Sequence, residues 1–312
     1  MKHIDLFAGT GAFTEVLKKY KSKCVFSNDF IESSKNIYTI NHPECNFVLK
    51  DILDVQPDEI PNFDLLTGGF PCQPFSIAGQ RKGFEDTRSN VFWKIMEILS
   101  FHKPRYFILE NVKNLTSHDK GNTFKTILSN LESIGYKIKY KVLDTSKITG
   151  VPQHRERIYI VGFLNESDFD KFNFNFEEKK LLPLSDFFEE NVQDKYYYTP
   201  KSKIYPMLLE NITKQDTIYQ YRRVYVRENK SLVCPTMTAN MGSGGHNVPI
   251  ILDKTNKIRK LTPRECFNLQ GFPNDFILPK LSDNKLYSLA GNAVSPPVVE
   301  LIIKALIEKY DQ

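Results

Sequence analysis

About the first 160 residues alternate between short apolar segments and segments whose apolar residues recur with helical spacing, and this alternation constrains the fold most. Strands that alternate with helices are typical of a parallel, doubly wound sheet. The sequence therefore predicts an α/β fold with a mostly parallel sheet. The strand candidates are residues 3–7, 24–27, 63–67, 106–109 and 157–163, and the helix candidates are residues 14–20, 33–40, 91–101 and 123–134.

The pattern changes after this region. Residues 172–176 alternate apolar and polar side chains with period two, as in a strand, and polar, aromatic and turn-rich sequence follows. A last helix candidate begins near Pro296, with its apolar residues on one face. We therefore expect two domains. The α/β domain comprises residues 1–165 and 286–312, and a smaller domain of irregular and β structure comprises residues 166–285.

Composition excludes several classes of protein. Hydrophobic residues make up 41% and charged residues 25% of the chain, which excludes disordered and fibrous proteins. No apolar run approaches the roughly 20 residues of a membrane span, and Asp5 interrupts the region where a signal peptide is apolar. We therefore expect a cytoplasmic protein without a membrane segment. The five cysteines include no C-x-x-C pair, so neither a zinc site nor a disulfide framework is expected.

The charge distribution is more informative than the net charge of +5. Residues 165–194 contain nine acidic and three basic side chains, whereas residues 195–258 contain ten basic and four acidic ones. A basic block of this kind can neutralise phosphate groups of a nucleic acid. A solvated lysine-rich face explains it equally well, and charge alone does not decide between the two.

A glycine turn follows the first strand candidate. Gly9 and Gly11 stand between that strand and a helix, where glycine lets a ligand approach the backbone closely. Asp29 ends the next strand candidate and is placed to accept hydrogen bonds from a ribose. Asp51 follows a further short strand and is placed near an adenine edge. This pattern predicts a nucleoside cofactor site, and a purely structural glycine turn remains the alternative.

Cys72 lies in a loop that follows the strand candidate at residues 63–67. Open α/β sheets bind ligands beyond the carboxyl ends of such strands, and prolines on both sides fix the backbone around this thiol. The loop continues with glycines and with Arg81 and Arg88, a combination that suits a lid closing on an anionic polymer. Cys72 is therefore a candidate nucleophile, with a buried, inert thiol as the alternative.

Glu110 and two arginines complete the candidate chemistry. Glu110 ends the strand candidate at residues 106–109, and partial burial there would raise its pKa and let it donate a proton to a ring nitrogen. Arg155 and Arg157 stand two residues apart before the last strand candidate, so both side chains are expected to face one site.

Five motifs then occur in a single order, and together they resemble the DNA (cytosine-5)-methyltransferase family, particularly its bacterial restriction–modification enzymes. The block at residues 259–266 resembles a further family motif, and the blocks cover about two thirds of the chain. The five motifs are Phe7-x-Gly9-x-Gly11, Pro71-Cys72-Gln73, Glu110-Asn111-Val112, Gln153-x-Arg155-x-Arg157 and Gly291-Asn292-Ala293-Val294.

The resemblance implies a Rossmann-like methyltransferase fold with a target-recognition domain at residues 166–285. It also implies S-adenosylmethionine as methyl donor and S-adenosylhomocysteine as product. Asp29 stands where the family commonly has glutamate, which shortens the reach but keeps the acceptor. The implied donor-binding residues are Phe7, Gly9, Gly11, Asp29, Asp51, Ile52, Pro71, Asn292 and Ala293, and the implied catalytic residues are Cys72, Glu110, Arg155 and Arg157.

The implied mechanism is covalent. Cys72 adds to C6 of a cytosine flipped out of duplex DNA while Glu110 contacts N3, and C5 then takes the methyl group. Arg155 and Arg157 support the flipped base. The expected enzyme is a monomer that methylates a short specific sequence and protects host DNA from a cognate restriction endonuclease.

The variable middle of the chain is expected to read the DNA sequence, with a glycine-rich surface loop as the alternative. The candidate DNA-contacting residues there are Arg222, Arg223, Arg227, Thr236, Thr238, Asn240, Gly244 and Gly245, and those in the Cys72 loop are Gln73, Ser76, Arg81 and Arg88.

Three other functions compete with this interpretation. An RNA methyltransferase of the same chemistry is the nearest, because one branch of the family acts on transfer RNA. A catalytically inactive DNA-binding repressor does not need the complete set of Cys72, Glu110 and Arg155. A nicotinamide dehydrogenase does not explain the Pro71-Cys72-Gln73 loop, and the third glycine of its fingerprint is replaced by Thr14.

Overall fold

The computed structural model describes residues 1–71, 91–243 and 248–307, which form two compact units. The first unit comprises the described residues of Met1–Leu143, Glu156–Phe176 and Val298–Gln312. The second comprises the described residues of Asp144–Arg155 and Glu177–Pro297. These bounds differ from the expected domains, because residues 166–176 belong to the first unit and residues 144–155 and 286–297 to the second.

A seven-stranded sheet forms the centre of the first unit, in the order β3-β2-β1-β4-β5-β7-β6. Strands β1 to β5 pair in parallel, and β7 pairs antiparallel with β5. The prediction of an α/β fold with a mostly parallel sheet is therefore confirmed. The strands are β1 (Lys2–Leu6), β2 (Lys23–Asp29), β3 (Phe47–Leu49), β4 (Leu65–Gly69), β5 (Tyr106–Val112), β6 (Lys137–Asp144) and β7 (Glu156–Phe163).

Helices cover this sheet and bury its apolar side chains. Ile4 of β1, Leu66 of β4 and Phe107 of β5 are fully buried in one cluster with side chains of the third helix. Burial of such aliphatic and aromatic side chains contributes about 1.5–3 kcal/mol each. The helices of the unit are α1 (Ala12–Lys19), α2 (Glu32–Asn41), α3 (Val91–His102), α4 (Asn122–Ser133), α6 (Glu166–Lys171) and α10 (Pro296–Ile307).

Residues 172–176 do not form a strand, although their alternation suggested one. The aromatic ring of Phe172 packs against that of Phe163 at a centroid distance of 5.2 Å. The carbonyl of Phe172 accepts a hydrogen bond from Nζ of Lys139, and that of Phe174 accepts one from Nζ of Lys141. Lysine side chains of β6 thus satisfy backbone carbonyls that the backbone of a neighbouring strand would bind if residues 172–176 formed a strand.

The second unit contains a four-stranded antiparallel sheet in the order β11-β10-β8-β9. Its core is a small cluster in which Leu208 and Tyr219 are fully buried against Ile250. This smaller sheet agrees with the expected second domain of irregular and β structure. Its elements are α5 (Thr145–Thr149), α7 (Tyr205–Asn211), β8 (Ile218–Tyr221), β9 (Val226–Asn229), β10 (Ile250–Leu252), β11 (Ile258–Lys260), α8 (Pro263–Gln270) and α9 (Asp283–Asn292).

One stretch of the described chain, Asp283–Ile307, is long and apolar enough to cross a membrane by length and composition alone. Residues 293–295 interrupt its helical structure, and 61% of its most apolar window is buried inside the protein. Such burial is typical of core helices in globular proteins.

Candidate functional site

The turn between β1 and α1 is held in a conformation that favours glycine. Gly9 has a φ of +52° and Gly11 a φ of +78°, both in the left-handed region. A Cβ atom on Gly11 would lie 2.7 Å from Nε2 of the buried His42, so a larger residue does not fit there without movement. Phe7 also has a positive φ of 53°. Gly9 therefore leaves a part of the backbone without a side chain at the carboxyl end of β1.

Asp29 ties the end of β2 to this turn. Its Oδ2 accepts a hydrogen bond from the backbone N–H of Gly9 at 3.0 Å, and its Oδ1 accepts one from Ile31 at 2.9 Å. Burial raises the pKa of the Asp29 carboxyl above its ordinary value, while the hydrogen bonds from Ile31 and Gly9 act in the opposite direction. Each carboxylate oxygen keeps a second lone pair that can accept a ligand hydroxyl.

Asp51 and Ile52 follow the short strand β3. The Asp51 Oδ1 accepts a hydrogen bond from the backbone N–H of Leu53 at 3.0 Å, whereas the Ile52 side chain is buried. Because β1, β2 and β3 are parallel neighbours, their carboxyl ends lie at one edge of the sheet. That edge therefore combines a backbone cradle with acidic acceptors, which fits a ligand carrying a ribose and an adenine.

The end of β4 leads directly into the predicted nucleophile loop. Asn111 donates a hydrogen bond through Nδ2 to the carbonyl of Phe70 at 2.9 Å, which fixes the backbone just before Pro71. This role of Asn111 was not predicted from its motif, although a polar residue at a strand end is a signal for one. Several predicted residues lie outside the part of the chain that the structure describes: Cys72, Gln73, Ser76, Arg81 and Arg88.

Glu110 forms an ion pair with Arg157. The Arg157 Nε lies 3.0 Å from Oε1 of Glu110, on the antiparallel strands β5 and β7. Only 7% of the Glu110 surface is exposed, so the pair is little screened by solvent. The guanidinium favours the ionised carboxylate, whereas burial favours the neutral acid. This cation is a partner that the sequence did not predict for Glu110.

Arg155 has different surroundings, in the second unit. Its guanidinium donates hydrogen bonds to three backbone carbonyls, those of Met237 at 3.3 Å, Gly291 at 3.2 Å and Ala293 at 2.7 Å. Its residue surface is 2% exposed. Arg155 therefore holds together a loop and the end of α9. Arg155 directly precedes β7, which begins at Glu156, whereas Arg157 lies within it. The expectation that both arginines face one site therefore stays a prediction.

The Gly291-Asn292-Ala293 motif ends α9 and depends on its glycine. A Cβ atom on Gly291 would lie 2.2 Å from the carbonyl carbon of Thr238, so only glycine allows this close approach of two backbones. Asn292 is exposed and Ala293 is buried. The motif and the loop that contains Thr238 are thus packed together within the second unit.

A cavity of about 400 Å³ lies within the second unit. Its wall combines predicted DNA-contacting residues with polar residues that the sequence analysis did not name. The predicted residues are Arg222, Arg227, Thr236 and Thr238, and the further polar ones include Gln220, Asn229 and His154. Gln220 was detectable from sequence, because it is a polar residue that stands two residues before the candidate Arg222.

The other DNA-contacting candidates are distributed differently. Arg223 is exposed on the turn between β8 and β9, with a φ of 63°. The Oδ1 of Asn240 accepts a hydrogen bond from Oγ1 of Thr238 at 2.8 Å. Gly244 and Gly245 fall in a gap of the described chain.

Comparison with solved structures supports the fold. The chain resembles the crystal structure of S. pombe Dnmt2 methyltransferase with a TM-score of 0.77 and 20% identity, over 100% of both chains. It resembles a Spodoptera frugiperda DNMT2 mutant with a TM-score of 0.75 and 21% identity, over 98% of this chain and 99% of that one. At this identity the likeness shows the Rossmann-like methyltransferase fold.

Comparison with curated proteins gives much higher identities. The chain is 47% identical to Type II methyltransferase M.Bsp6I from Bacillus sp. (strain RFL6), over 96% of each protein. It is 39% identical to Type II methyltransferase M.HaeII from Haemophilus aegyptius, over 99% of this chain and 94% of the relative. Residues 1–308 match the family described as C-5 cytosine-specific DNA methylase. The chain therefore belongs to the C-5 cytosine-specific DNA methylase family.

Proposed function

We propose that this enzyme methylates C5 of a flipped cytosine in a short DNA sequence, using S-adenosylmethionine and a covalent bond between Cys72 and C6. One observation carries the proposal. The Glu110–Arg157 ion pair lies on β5 and β7, and β5 neighbours β4, whose end leads into Pro71 and Cys72. A carboxyl group and a thiol that follow adjacent parallel strands suit a reaction at one base.

The donor site is proposed at the carboxyl edge formed by β1, β2 and β3. When bound, the donor supplies an electrophilic methyl group and leaves as S-adenosylhomocysteine. Asp29 accepts the ribose hydroxyls while it also holds the Gly9 turn. Asp51 accepts from the adenine amino group. The other proposed contacts within the first unit are Phe7, Gly9, Gly11, Ile52 and Pro71. The donor-binding role of Asn292 and Ala293, which belong to the second unit, stays a prediction.

The proposed reaction activates C5, which is a poor nucleophile in free cytosine. The Cys72 thiolate attacks C6, forming a C–S bond, and the electron pair of the C5–C6 bond moves toward C5 and N3. Glu110 enters this step as the neutral acid, having taken a proton from solvent, and donates that proton to N3 as this charge develops. The proton returns from N3 to Glu110 when the C–S bond breaks. After C5 has gained the methyl group, it loses its proton to a base, the C–S bond breaks, and Cys72 leaves as a thiolate.

The two arginines have separate roles in this proposal. Arg157 keeps Glu110 oriented toward the base through the 3.0 Å ion pair. Arg155 acts as a positioning residue, because its donors are engaged with backbone carbonyls of the second unit.

Recognition of DNA is assigned to the second unit, and catalysis and donor binding to the first. The cavity that contains Arg222, Arg227, Thr236 and Thr238 supports this division. We include Arg223, Asn240, Gly244 and Gly245 in the same surface. From the Cys72 loop we assign Gln73, Ser76, Arg81 and Arg88 to contacts with the DNA around the flipped base.

The biological role proposed is that of the named relatives, which are Type II methyltransferases. We propose a monomer that acts on DNA in the bacterial cytoplasm and protects recognition sites from a cognate restriction endonuclease. Methylation blocks cleavage only when both enzymes read the same sequence.

Bisulfite sequencing of DNA from cells that express the protein tests the proposal. We expect 5-methylcytosine at one position of one short motif, and none in cells that express Cys72→Ser. In vitro, duplex DNA should accept the methyl group and transfer RNA should not. Unmethylated DNA with methylated transfer RNA would replace this function with RNA methylation, and normal turnover by Cys72→Ser would remove Cys72 from the mechanism.

A further inference from the structure

The β8–β9 hairpin presents two chemically different faces. Gln220 of β8 lies opposite Arg227 of β9 in the antiparallel register, so the two side chains share a face. The other face carries Tyr219, Tyr221 and Val226, which pack on the apolar cluster of the second unit. The polar face lines the 400 Å³ cavity. The hairpin is thus anchored by one face and offers the other to a ligand.

The cavity wall is cationic. Arg222 and Arg227 line it, and none of the described residues that line it is aspartate or glutamate. Glu228, the acidic residue of the hairpin, stands opposite Tyr219 on the apolar side and pairs with Lys214 at 2.8 Å. Among the described residues, no carboxylate pairs with either guanidinium, which favours an anionic or acceptor-rich ligand such as DNA.

Several polar side chains of the wall are engaged within the protein. Asn229 donates to the carbonyl of Val233 and accepts from the N–H and hydroxyl of Ser231. Thr236 donates to the carbonyl of His154 at 2.6 Å. Such contacts shape the wall and leave these groups little capacity to read a base.

The two arginines are held differently. Nη2 of Arg222 donates to Oε1 of Gln220 at 3.0 Å, and Arg222 is half-buried. Arg227 is exposed, and no described residue forms a hydrogen bond or ion pair with its guanidinium. A guanidinium that is oriented by a hydrogen bond to a neighbouring amide can discriminate between acceptor patterns, whereas an unrestrained one serves as a mobile charge.

We infer that Arg222, oriented by Gln220, reads a guanine of the recognised sequence through its O6 and N7 atoms, while Arg227 binds a backbone phosphate. Bidentate donation from arginine to these two acceptors distinguishes guanine from the other bases in the major groove. The inference deepens the proposed function and rests on it. Gln220 is a positioning residue, since its amide acts on DNA through Arg222.

A randomised duplex library tests this assignment. Wild-type enzyme and variants methylate duplexes with random bases around a cytosine, and bisulfite sequencing reports the preferred motif. Arg222→Lys keeps the charge but loses the paired N–H donors of the guanidinium. We therefore expect about 10-fold or greater loss of discrimination at one guanine, with the other positions unchanged. Gln220→Ala should weaken discrimination at that same guanine.

Arg227→Ala should behave in the opposite way. It should lower methylation of all sequences alike. The slope of log binding affinity against log salt concentration should become smaller by about one, because one phosphate contact is lost. Lys230→Ala removes one exposed charge at the end of the same hairpin, outside the cavity, and should leave the motif unchanged.

Modified DNA provides a readout that does not depend on a variant folding. Replacing guanine by 7-deazaguanine removes the N7 acceptor and keeps base pairing. The wild-type rate should fall at the single guanine at which Arg222→Lys no longer discriminates. If Arg222→Lys keeps the full wild-type motif, the inference is wrong. It is also wrong if Arg227→Ala loses discrimination at a single base. Neither result would affect the proposed function. Absence of any methylated motif with the wild type would overturn the proposed function as well.

Discussion

At the residue scale, the site depends on charged groups that are held by specific partners rather than by burial alone. Glu110 is nearly buried, and the Arg157 guanidinium at 3.0 Å favours its ionised form there before a base binds. Asp29 combines burial with two backbone N–H donors. Both carboxylates are thereby fixed in orientation before any ligand binds, which lowers the cost of ordering them on binding.

The Glu110–Arg157 pair should show strong energetic coupling. Arg157→Ala leaves a buried carboxylate without this cation and should lower the free energy of unfolding by about 3 kcal/mol. Glu110→Gln removes the charge, so adding it to Arg157→Ala should restore part of that loss. Urea unfolding of the two single variants and the double variant measures the coupling. Purely additive losses would mean that the two side chains do not interact in solution.

Donor binding should depend on pH through Asp29. Burial raises the pKa of Asp29 above its ordinary value of 3.8, so its carboxylate gains a proton at a higher pH than an exposed aspartate would. The ionised form accepts ribose hydroxyls, and affinity should therefore fall as the pH falls through that raised pKa. Isothermal titration with S-adenosylhomocysteine measures this dependence. Asp29→Asn should bind more weakly, with a flatter pH profile, and an unchanged profile would remove Asp29 from the donor site.

At the element scale, the sequence predicted the buried strands well and the irregular elements poorly. Strands β1, β2 and β5 consist of buried apolar residues, so their patterns were clear. Strand β6 was missed because it is largely exposed and lysine-rich. The partners of Arg155 were not predictable either, since they are backbone carbonyls 82 to 138 residues away. Such long-range contacts leave no local pattern in a sequence.

Substitution of Arg155 should lower the stability of the protein. Arg155→Lys cannot supply the same donors to the carbonyls of Met237, Gly291 and Ala293, and each buried carbonyl left unsatisfied costs about 1–3 kcal/mol. We expect a thermal midpoint lower by about 5 °C. Arg223→Lys makes the same exchange at an exposed position and should leave the midpoint unchanged. Equal thermal midpoints for both variants would contradict a stabilising role of the Arg155 hydrogen bonds.

At the scale of the whole molecule, we propose that catalysis and the choice of DNA sequence belong to different compact units. The sheet with the donor turn and Glu110 belongs to the first unit, and the cationic cavity belongs to the second. The order of the motifs along the chain predicted this family, whereas the proposed base contacts depend on side-chain placement within one hairpin, which the sequence does not show.

Exchange of the variable segment should therefore transfer specificity. Replacing residues 195–255 by the corresponding segment of M.HaeII should give an enzyme that methylates the sequence of that relative. Bisulfite sequencing of the chimera reports the motif, and a paired Cys72→Ser chimera controls for background methylation. A chimera that keeps the original motif would assign recognition to another part of the chain.

The central claim is that Cys72 attacks C6 of a DNA cytosine, and a trapped covalent complex tests it most directly. Duplex DNA with 5-fluorocytosine at the target position should form an adduct with the wild-type enzyme in the presence of the methyl donor. The fluorinated base has no C5 proton to lose, so Cys72 cannot be eliminated. Mass spectrometry should locate the bond at Cys72, and Cys72→Ser should form no adduct. A wild-type enzyme that methylates ordinary DNA but forms no adduct with the fluorinated duplex would contradict the mechanism.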